Sequence, residues 1–213
     1  MTEYLKTSRE NLANQMIQNM KKRNMEGFYC ATKEEALEKA LSFLEPGCSV
    51  SWGGSETLNE IGFMDEIKNH TECEIIDRFS GKTAEEKRQI YARATLSDYY
   101  YMSSNAITKD GILVNMDGSG NRVAALCHGP NHVVLVVGMN KVATNVEEAV
   151  NRIELIAGPS NTIRQEMDTP CSKTGSCAHC FSKDCICASL VVTRFCRQPG
   201  RIKVILVGEN LGF

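Results

Sequence analysis

Five cysteines lie close together near the C-terminus and give this chain its clearest chemical signal: Cys171, Cys177, Cys180, Cys185 and Cys187. Thiolates are the ligands that zinc and iron–sulfur clusters prefer in proteins. Gly175 and the small polar residues between the cysteines allow the chain to wrap around a point. The spacing therefore predicts a metal site that is held by four of these thiols.

The kind of metal follows less directly from the spacing. Structural zinc sites usually contain two separated C-x2-C pairs or a mixture of Cys and His. This segment has one such pair, Cys177 and Cys180, with single cysteines on either side, which is closer to the nested spacing of cluster ligands. We expect an iron–sulfur cluster of the 4Fe–4S type, with zinc as the alternative. Either Cys185 or Cys187 can supply the fourth ligand.

A second chemical signal is the run of glycine, serine, asparagine and aspartate residues between 103 and 122. Such residues follow predicted strands, where open α/β sheets place their ligand crevices. The loops 53–55 and 117–121 each lead into a predicted helix, so their backbone N–H groups are suited to an anion. We therefore predict one pocket for a small anionic ligand. The predicted ligand-binding residues are Gly53, Gly54, Ser55, Asn105, Asn115, Gly120, Asn121 and Arg122.

Four charged residues in or near this region are candidates for chemistry. Asp110 and Asp117 are the predicted catalytic residues, because carboxylates beside backbone donors can be tuned for proton transfer. Each also precedes a glycine, and Asp-Gly is a common turn dipeptide, so turn formation is the alternative role. Arg122, at a helix start, and Lys141, after the longest apolar run, are expected to reach an anionic ligand.

The elements that would position these residues alternate between helix and strand. Helices are predicted at 5–24, 33–44, 83–95, 121–127 and 146–157. Strands are predicted at 48–52, 73–77, 99–103, 112–116, 132–138, 189–195 and 202–207. This alternation predicts an α/β fold with a mainly parallel sheet flanked by helices. No repeat or linker divides the chain, so we expect a single domain over 1–213 that includes a Cys-rich metal-binding segment at 168–190.

Composition argues against several classes of partner. The chain has 24 basic and 26 acidic residues and a formal net charge of −2, so neither nucleic-acid nor membrane binding is expected. No signal peptide is evident, and no apolar run reaches the ~20 residues of a membrane span. We therefore expect a cytoplasmic protein, in which clustered thiols indicate metal or redox chemistry rather than disulfides. The sequence leaves open whether the protein binds a redox partner protein and whether it forms a homo-oligomer.

Several runs of the sequence resemble the LUD domain (lactate-utilisation) family, in its branch with an added C-terminal cysteine motif. They are GGSETLNEIGF, SSNAITKDGILVNMDGSGNRVAALCHGP, VVLVVGMNK and VILVGENLGF. The resemblance spans nearly the whole chain and implies a fold like that of the sugar-phosphate isomerases and CoA transferases. The central run is also similar to the methylthioribose-phosphate isomerase and initiation factor 2B group, which implies that Asp110, Asn115 and Asp117 lie in the pocket.

The resemblance also bears on the fourth metal ligand and on function. A basic residue is expected where Cys185 stands, which favours Cys187 as the ligand. The function implied is a part in organic-acid redox metabolism, with an organic acid or phosphate in the glycine loops and a cluster that assists electron transfer. The alternatives are an isomerase-type enzyme on a sugar phosphate with a structural zinc, and a non-catalytic ligand-binding or assembly subunit.

Overall fold

Ten strands in two sheets form the framework of the chain, and the computed structural model describes residues 1–213. The strands are β1 (Glu26–Cys30), β2 (Ser49–Trp52), β3 (Glu74–Ile75), β4 (Tyr99–Met102), β5 (Ala106–Thr108), β6 (Leu113–Asp117), β7 (His132–Gly138), β8 (Val142–Ala143), β9 (Ser189–Thr193) and β10 (Ile202–Val207). The larger sheet has the order β1-β10-β7-β4-β2-β3, and all its pairs are parallel. The predicted α/β fold with a mainly parallel sheet is confirmed.

Nine α-helices surround these sheets. They are α1 (Glu3–Lys21), α2 (Lys33–Leu41), α3 (Glu56–Glu60), α4 (Phe63–Glu66), α5 (Ala84–Thr95), α6 (Asn121–Cys127), α7 (Val146–Arg152), α8 (Gly158–Arg164) and α9 (Pro170–Thr174). A π-helical turn, Ile153–Ala157, joins α7 to α8, and 3-10 turns cover Ile67–Asn69 and Met139–Lys141. None of the helices has the length and apolar character that crossing a membrane requires.

The core lies on both faces of the larger sheet. Successive residues of β7 point to opposite faces: Val133 and Leu135 belong to the apolar cluster on one face, and Val134 and Val136 to the cluster on the other. Both faces of a parallel sheet are normally covered, so its strands read as continuous apolar runs. This is why β7 and β10 match the sequence predictions for 132–138 and 202–207.

The smaller sheet carries the regions in which we predicted chemistry. Its order is β8-β5-β6-β9, with β5–β6 and β6–β9 antiparallel. Asp117 at the end of β6 pairs with Ser189 at the start of β9. The cysteine segment therefore returns to the sheet directly beside the glycine loop that follows β6.

Candidate functional site

A pocket of about 320 Å³ opens where β2, β4 and β7 of the larger sheet end, beside the end of β6. Gly54 and Ser55 follow β2, Ser103 follows β4, and Lys141 follows β7. Only four of the 20 lining residues are hydrophobic. The pocket therefore suits a small and strongly polar ligand.

The pocket wall is organised by the Arg122 guanidinium, whose side chain is only 12% exposed. It contacts five oxygen atoms at 2.6–3.3 Å. These atoms are the carbonyl oxygens of Ser103 and Met116, the amide oxygens of Asn105 and Asn115, and Oδ2 of Asp117. Gly53 makes room for this arginine, because a Cβ at that position would lie 3.1 Å from Arg122 Cγ and Cδ. The hydrogen bonds of Arg122 therefore go to protein oxygens and hold the pocket wall together.

Asp117 lines the same pocket and also closes the turn that leads into α6. Its Oδ1 accepts a hydrogen bond of 2.8 Å from the Gly120 N–H, while its Oδ2 lies 3.3 Å from Arg122 Nε. Gly120 has φ +78, a left-handed conformation that favours glycine. Burial lowers the pKa of Arg122, and the nearby Asp117 charge opposes that effect. Asp117 thus combines the turn-forming role and the pocket position that the sequence suggested.

Arg78 lines the pocket without a protein partner. Its Nε is buried and makes no hydrogen bond, and no carboxylate lies within ion-pair distance of its guanidinium. The guanidinium lies over the rings of Phe79 and Tyr91, at 5.1 and 5.7 Å from their centroids. Since buried polar groups are nearly always paired, this cation is one that a ligand could satisfy.

Lys141 is a second cation without a carboxylate partner, and it is 3% exposed. Its Nζ donates to Thr57 Oγ1 at 2.8 Å and to Ser103 Oγ at 3.1 Å. Burial, followed by the charges of Arg152 and Arg122, lowers the pKa of Lys141 to about 7. At neutral pH this amine therefore exchanges between its neutral and charged forms.

A smaller cavity of about 110 Å³ lies beside the pocket and is lined by all five clustered cysteines. Met116 and Ile186 line both cavities. Burial is the first cause that raises the pKa of Cys187 to about 12, and the nearness of the other four thiols adds to it. No three His, Cys, Asp or Glu side chains converge on one position for a single ion. The four predicted metal ligands thus lie around one cavity without converging on a single point. The metal itself stays a prediction.

The predicted pocket residues fall into three groups. Six line the pocket: Gly54, Ser55, Asn105, Asp117, Asn121 and Arg122. Gly53, Asn115 and Gly120 lie behind it and support Arg122 or the turn. Asp110 is exposed in the β5–β6 turn, where its carbonyl accepts from Arg23 Nε at 2.7 Å. Asp117 lies at the opposite end of β6 from that turn, and Asp110 does not line this pocket.

Sequence reasoning missed two cations of this pocket, Arg78 and Arg164. Arg78 comes directly after the predicted strand 73–77, so its position at a strand end was an available signal. Arg164 lies at the end of α8, beyond the predicted end of that helical region at 157. Its Nη1 is 4.0 Å from Glu56 Oε2, and both side chains are about one-third exposed. No sequence pattern places α8 against this pocket.

The sheet and its pocket define an α/β protein with a polar pocket at the carboxyl ends of parallel strands. The sequence model of the LUD domain matches residues 13–207, and the chain belongs to the LUD domain family. A solved crystal structure at 1.70 Å, of a DUF162 family protein from Deinococcus radiodurans, has a similar fold. Its TM-score is 0.51 with 13% identity, over 93% of this chain and 98% of that chain. No curated protein sequence matches this chain.

Proposed function

We propose that this protein binds a small anionic metabolite, an organic acid or a phosphate, and takes part in organic-acid metabolism related to lactate utilisation. The observation that carries the binding proposal is the unpartnered Arg78 in the wall of a polar pocket. Arg78 is half-buried and its Nε is fully buried, and a buried donor costs free energy unless an anion or another hydrogen-bond acceptor meets it. A ligand carboxylate or phosphate would supply that partner and accept from a planar guanidinium in bidentate fashion.

We also propose a 4Fe–4S cluster, held by Cys171, Cys177, Cys180 and Cys187, in the cavity next to this pocket. The support is the position of the thiols around one cavity with Gly158 and Pro159 on its wall. The iron atoms of a cluster occupy a larger volume than a single ion, so its ligands need not converge on one point. Zinc with the same ligands is the alternative.

The cluster would relay single electrons to or from a redox partner protein. A cluster with four cysteine ligands cannot accept a hydride from a hydroxy acid, so the primary oxidation would belong to another subunit. Met116 and Ile186 line both cavities, so a single layer of side chains would separate the cluster from a ligand in the pocket.

An isomerase-type reaction on a sugar phosphate is the second candidate, and Lys141 is the observation that favours it. A group that titrates near pH 7 is suited to general acid–base catalysis, and burial brings the Lys141 pKa into that range. In this case the residues that move the proton would be Lys141 and Asp117, with a structural metal. A non-catalytic subunit would bind the same anion without turnover.

Anaerobic purification with iron, labile sulfide and zinc analysis tests the cluster. We expect iron and sulfide in equal amounts, with a visible absorption that dithionite bleaches. Cys180→Ser is expected to remove most of the iron, whereas the matched Cys185→Ser is expected to keep it. One equivalent of zinc without sulfide would refute the cluster. Iron lost in Cys185→Ser but kept in Cys187→Ser would reassign the fourth ligand.

The anion proposal is tested by calorimetric titration with sulfate and phosphate. We expect Arg78→Met to weaken binding about ten- to hundredfold, because hydrogen bonds to charged groups contribute ~1.5–3 kcal/mol. Arg88→Met is the matched control, since Arg88 is exposed on α5 and pairs only with Glu85. Equal binding by the two variants would contradict the role of Arg78.

A further inference from the structure

The charges that line the pocket do not balance, and the imbalance can be assigned to particular residues. Four lining residues are cationic and two are carboxylates: Arg78, Arg122, Lys141 and Arg164 against Glu56 and Asp117. Both carboxylates already have a cation, since Asp117 pairs with Arg122 at 3.3 Å and Glu56 with Arg164 at 4.0 Å. Arg78 and Lys141 remain, so two basic side chains line the pocket without a carboxylate partner.

Lys141 lies where an anion could reach it from the pocket but no protein carboxylate does. Thr57 and Ser103 hold its Nζ in place, and a Cβ on Gly212 would come within 3.1 Å of that atom. Glu60 is the nearby carboxylate on α3, and its Oε2 accepts a hydrogen bond of 2.6 Å from the Gly212 N–H instead.

The other charges that act on Lys141 are cationic. Arg152 of α7 donates to the carbonyl oxygens of Asn140 and Asn105 at 3.1 and 2.6 Å, and Arg122 of α6 is occupied by the pocket wall. Two guanidiniums and burial therefore oppose the charged form of the lysine. An anion bound in the pocket would instead favour the charged form of Lys141.

We propose that the ligand of this pocket is a small dianion, and that Lys141 takes up a proton when it binds. The proposal rests on the anion-binding function proposed above and adds the charge of the ligand. A phosphate ester or a dicarboxylate has this charge, whereas a monocarboxylate would leave one of the two cations unmatched. A dianion would contact Arg78 with one part of its charge and Lys141 with the other.

The sign of the pH effect follows from the lysine. Without ligand, burial lowers the pKa of Lys141 to about 7, and a bound anion raises it again. Below pH 7 the amine is already charged, so affinity does not change with pH. Above pH 7 each binding event takes up a proton, and affinity falls by up to about tenfold per pH unit.

The experiment is calorimetric titration of the full chain with sulfate, malonate and lactate at pH 6.5 and 8.5. Buffers of different ionisation enthalpy report the number of protons taken up. Sulfate stays a dianion over this range, so its proton uptake belongs to the protein. We expect sulfate and malonate to bind at least about tenfold more tightly than lactate, since the second charged contact adds ~1.5–3 kcal/mol. We expect sulfate affinity to fall about 10- to 30-fold between the two pH values, with close to one proton taken up at pH 8.5.

Two variants isolate Lys141. Lys141→Met, similar in length and without charge, is expected to weaken sulfate binding at pH 6.5 and to abolish the pH dependence. Lys141→Arg keeps a charge that does not titrate in this range, so its sulfate binding is expected not to change with pH. Thermal unfolding of both checks that they fold.

The outcomes separate the two proposals. Lactate bound as tightly as sulfate, or proton uptake that persists in Lys141→Met, would overturn the dianion and lysine assignment while leaving the anion pocket. If Lys141→Met does not fold, the wild-type proton count and Lys141→Arg decide the matter. No binding of any anion by the wild-type chain would refute the anion-binding function itself.

Discussion

The anion pocket and the cysteine cavity share a wall, yet they are held together in different ways. In the anion pocket, Arg122 bonds to five oxygens of the protein, so the wall is formed before any ligand arrives. In the cysteine cavity the thiol contacts are 3.2–3.5 Å long, and all but the one between Cys171 and Thr162 join residues two positions apart. The strongest bonds available to the thiolates are those to a metal. The pocket is therefore preorganised by the protein, whereas the proposed metal would supply the strongest bonds in the cavity.

The shared wall also connects the two regions mechanically. The Ala188 N–H donates to the Asp117 carbonyl at 3.0 Å, and the Ile186 backbone packs against Gly118. Ile186 stands between two candidate metal ligands and at the same time lines the anion pocket. We therefore expect a change in the cysteine loop to reach the pocket through Ile186 and through the contact of Ala188 with Asp117.

The largest effect is expected for Arg122→Met. Removing the guanidinium leaves the buried Asp117 carboxylate without its counter-charge, and breaking a buried ion pair typically costs ~3–5 kcal/mol. Urea unfolding is expected to show a loss of stability of that size, together with loss of anion binding.

The control is Arg164→Met, which removes a cation of the same pocket that is 35% exposed. Its ion pair at the rim is expected to contribute at most ~1 kcal/mol. If both variants lost the same stability, the pocket would not be organised by Arg122. The pocket would then not differ from the cysteine cavity in being organised by protein hydrogen bonds before a ligand binds.

How much could be predicted differs between the sheet and the sites. Helix α6 and strands β7 and β10 match their predictions, because long apolar periodicity survives in any tertiary context. Strand β1 was not predicted, since Gly27 interrupts its pattern. That glycine lies under α1, where a Cβ would come within 3.2 Å of the Ile17 Cα. No local pattern carries such information.

The same distinction applies to the residues of the pocket. The turn at Asp117 and the arginine that follows it are contiguous in sequence, so local reasoning found them. Arg78 follows β3 and Arg164 ends α8, and only tertiary packing brings these two cations to one pocket. A single sequence does not reveal that packing.

An intermediate effect is expected for Gly118→Ala, which acts on the shared wall. A Cβ at this position would lie 3.1 Å from Ile186 Cα and 3.2 Å from its carbonyl oxygen, so the cysteine loop must shift. With overpacking that costs ~1 kcal/mol, we expect anion affinity to fall about fivefold and metal retention to decrease. If the variant changed only metal retention or only anion affinity, the shared wall would not couple the cysteine cavity to the pocket.

The smallest effect on the stability of the whole molecule is expected from removal of the proposed metal. None of the five clustered cysteines belongs to the apolar clusters of the core, and a chain of this length buries enough surface to fold without a metal. After a chelator has removed the metal, amide hydrogen exchange is therefore expected to become faster in 176–188 and in the turn 117–120. Strands β7 and β10 are expected to keep their protection.

The turn is included in this expectation because Asp117 pairs with β9 directly after the cysteine loop. Cys180→Ser should give the same exchange pattern without a chelator, and Cys196→Ser, a change in the core away from the cavity, should not. Faster exchange in β7 after metal removal would mean that the metal stabilises the entire fold. Unchanged exchange in 117–120 would mean that the cysteine loop moves independently of the anion pocket, which would leave the cluster as a neighbour of that pocket without influence on its shape.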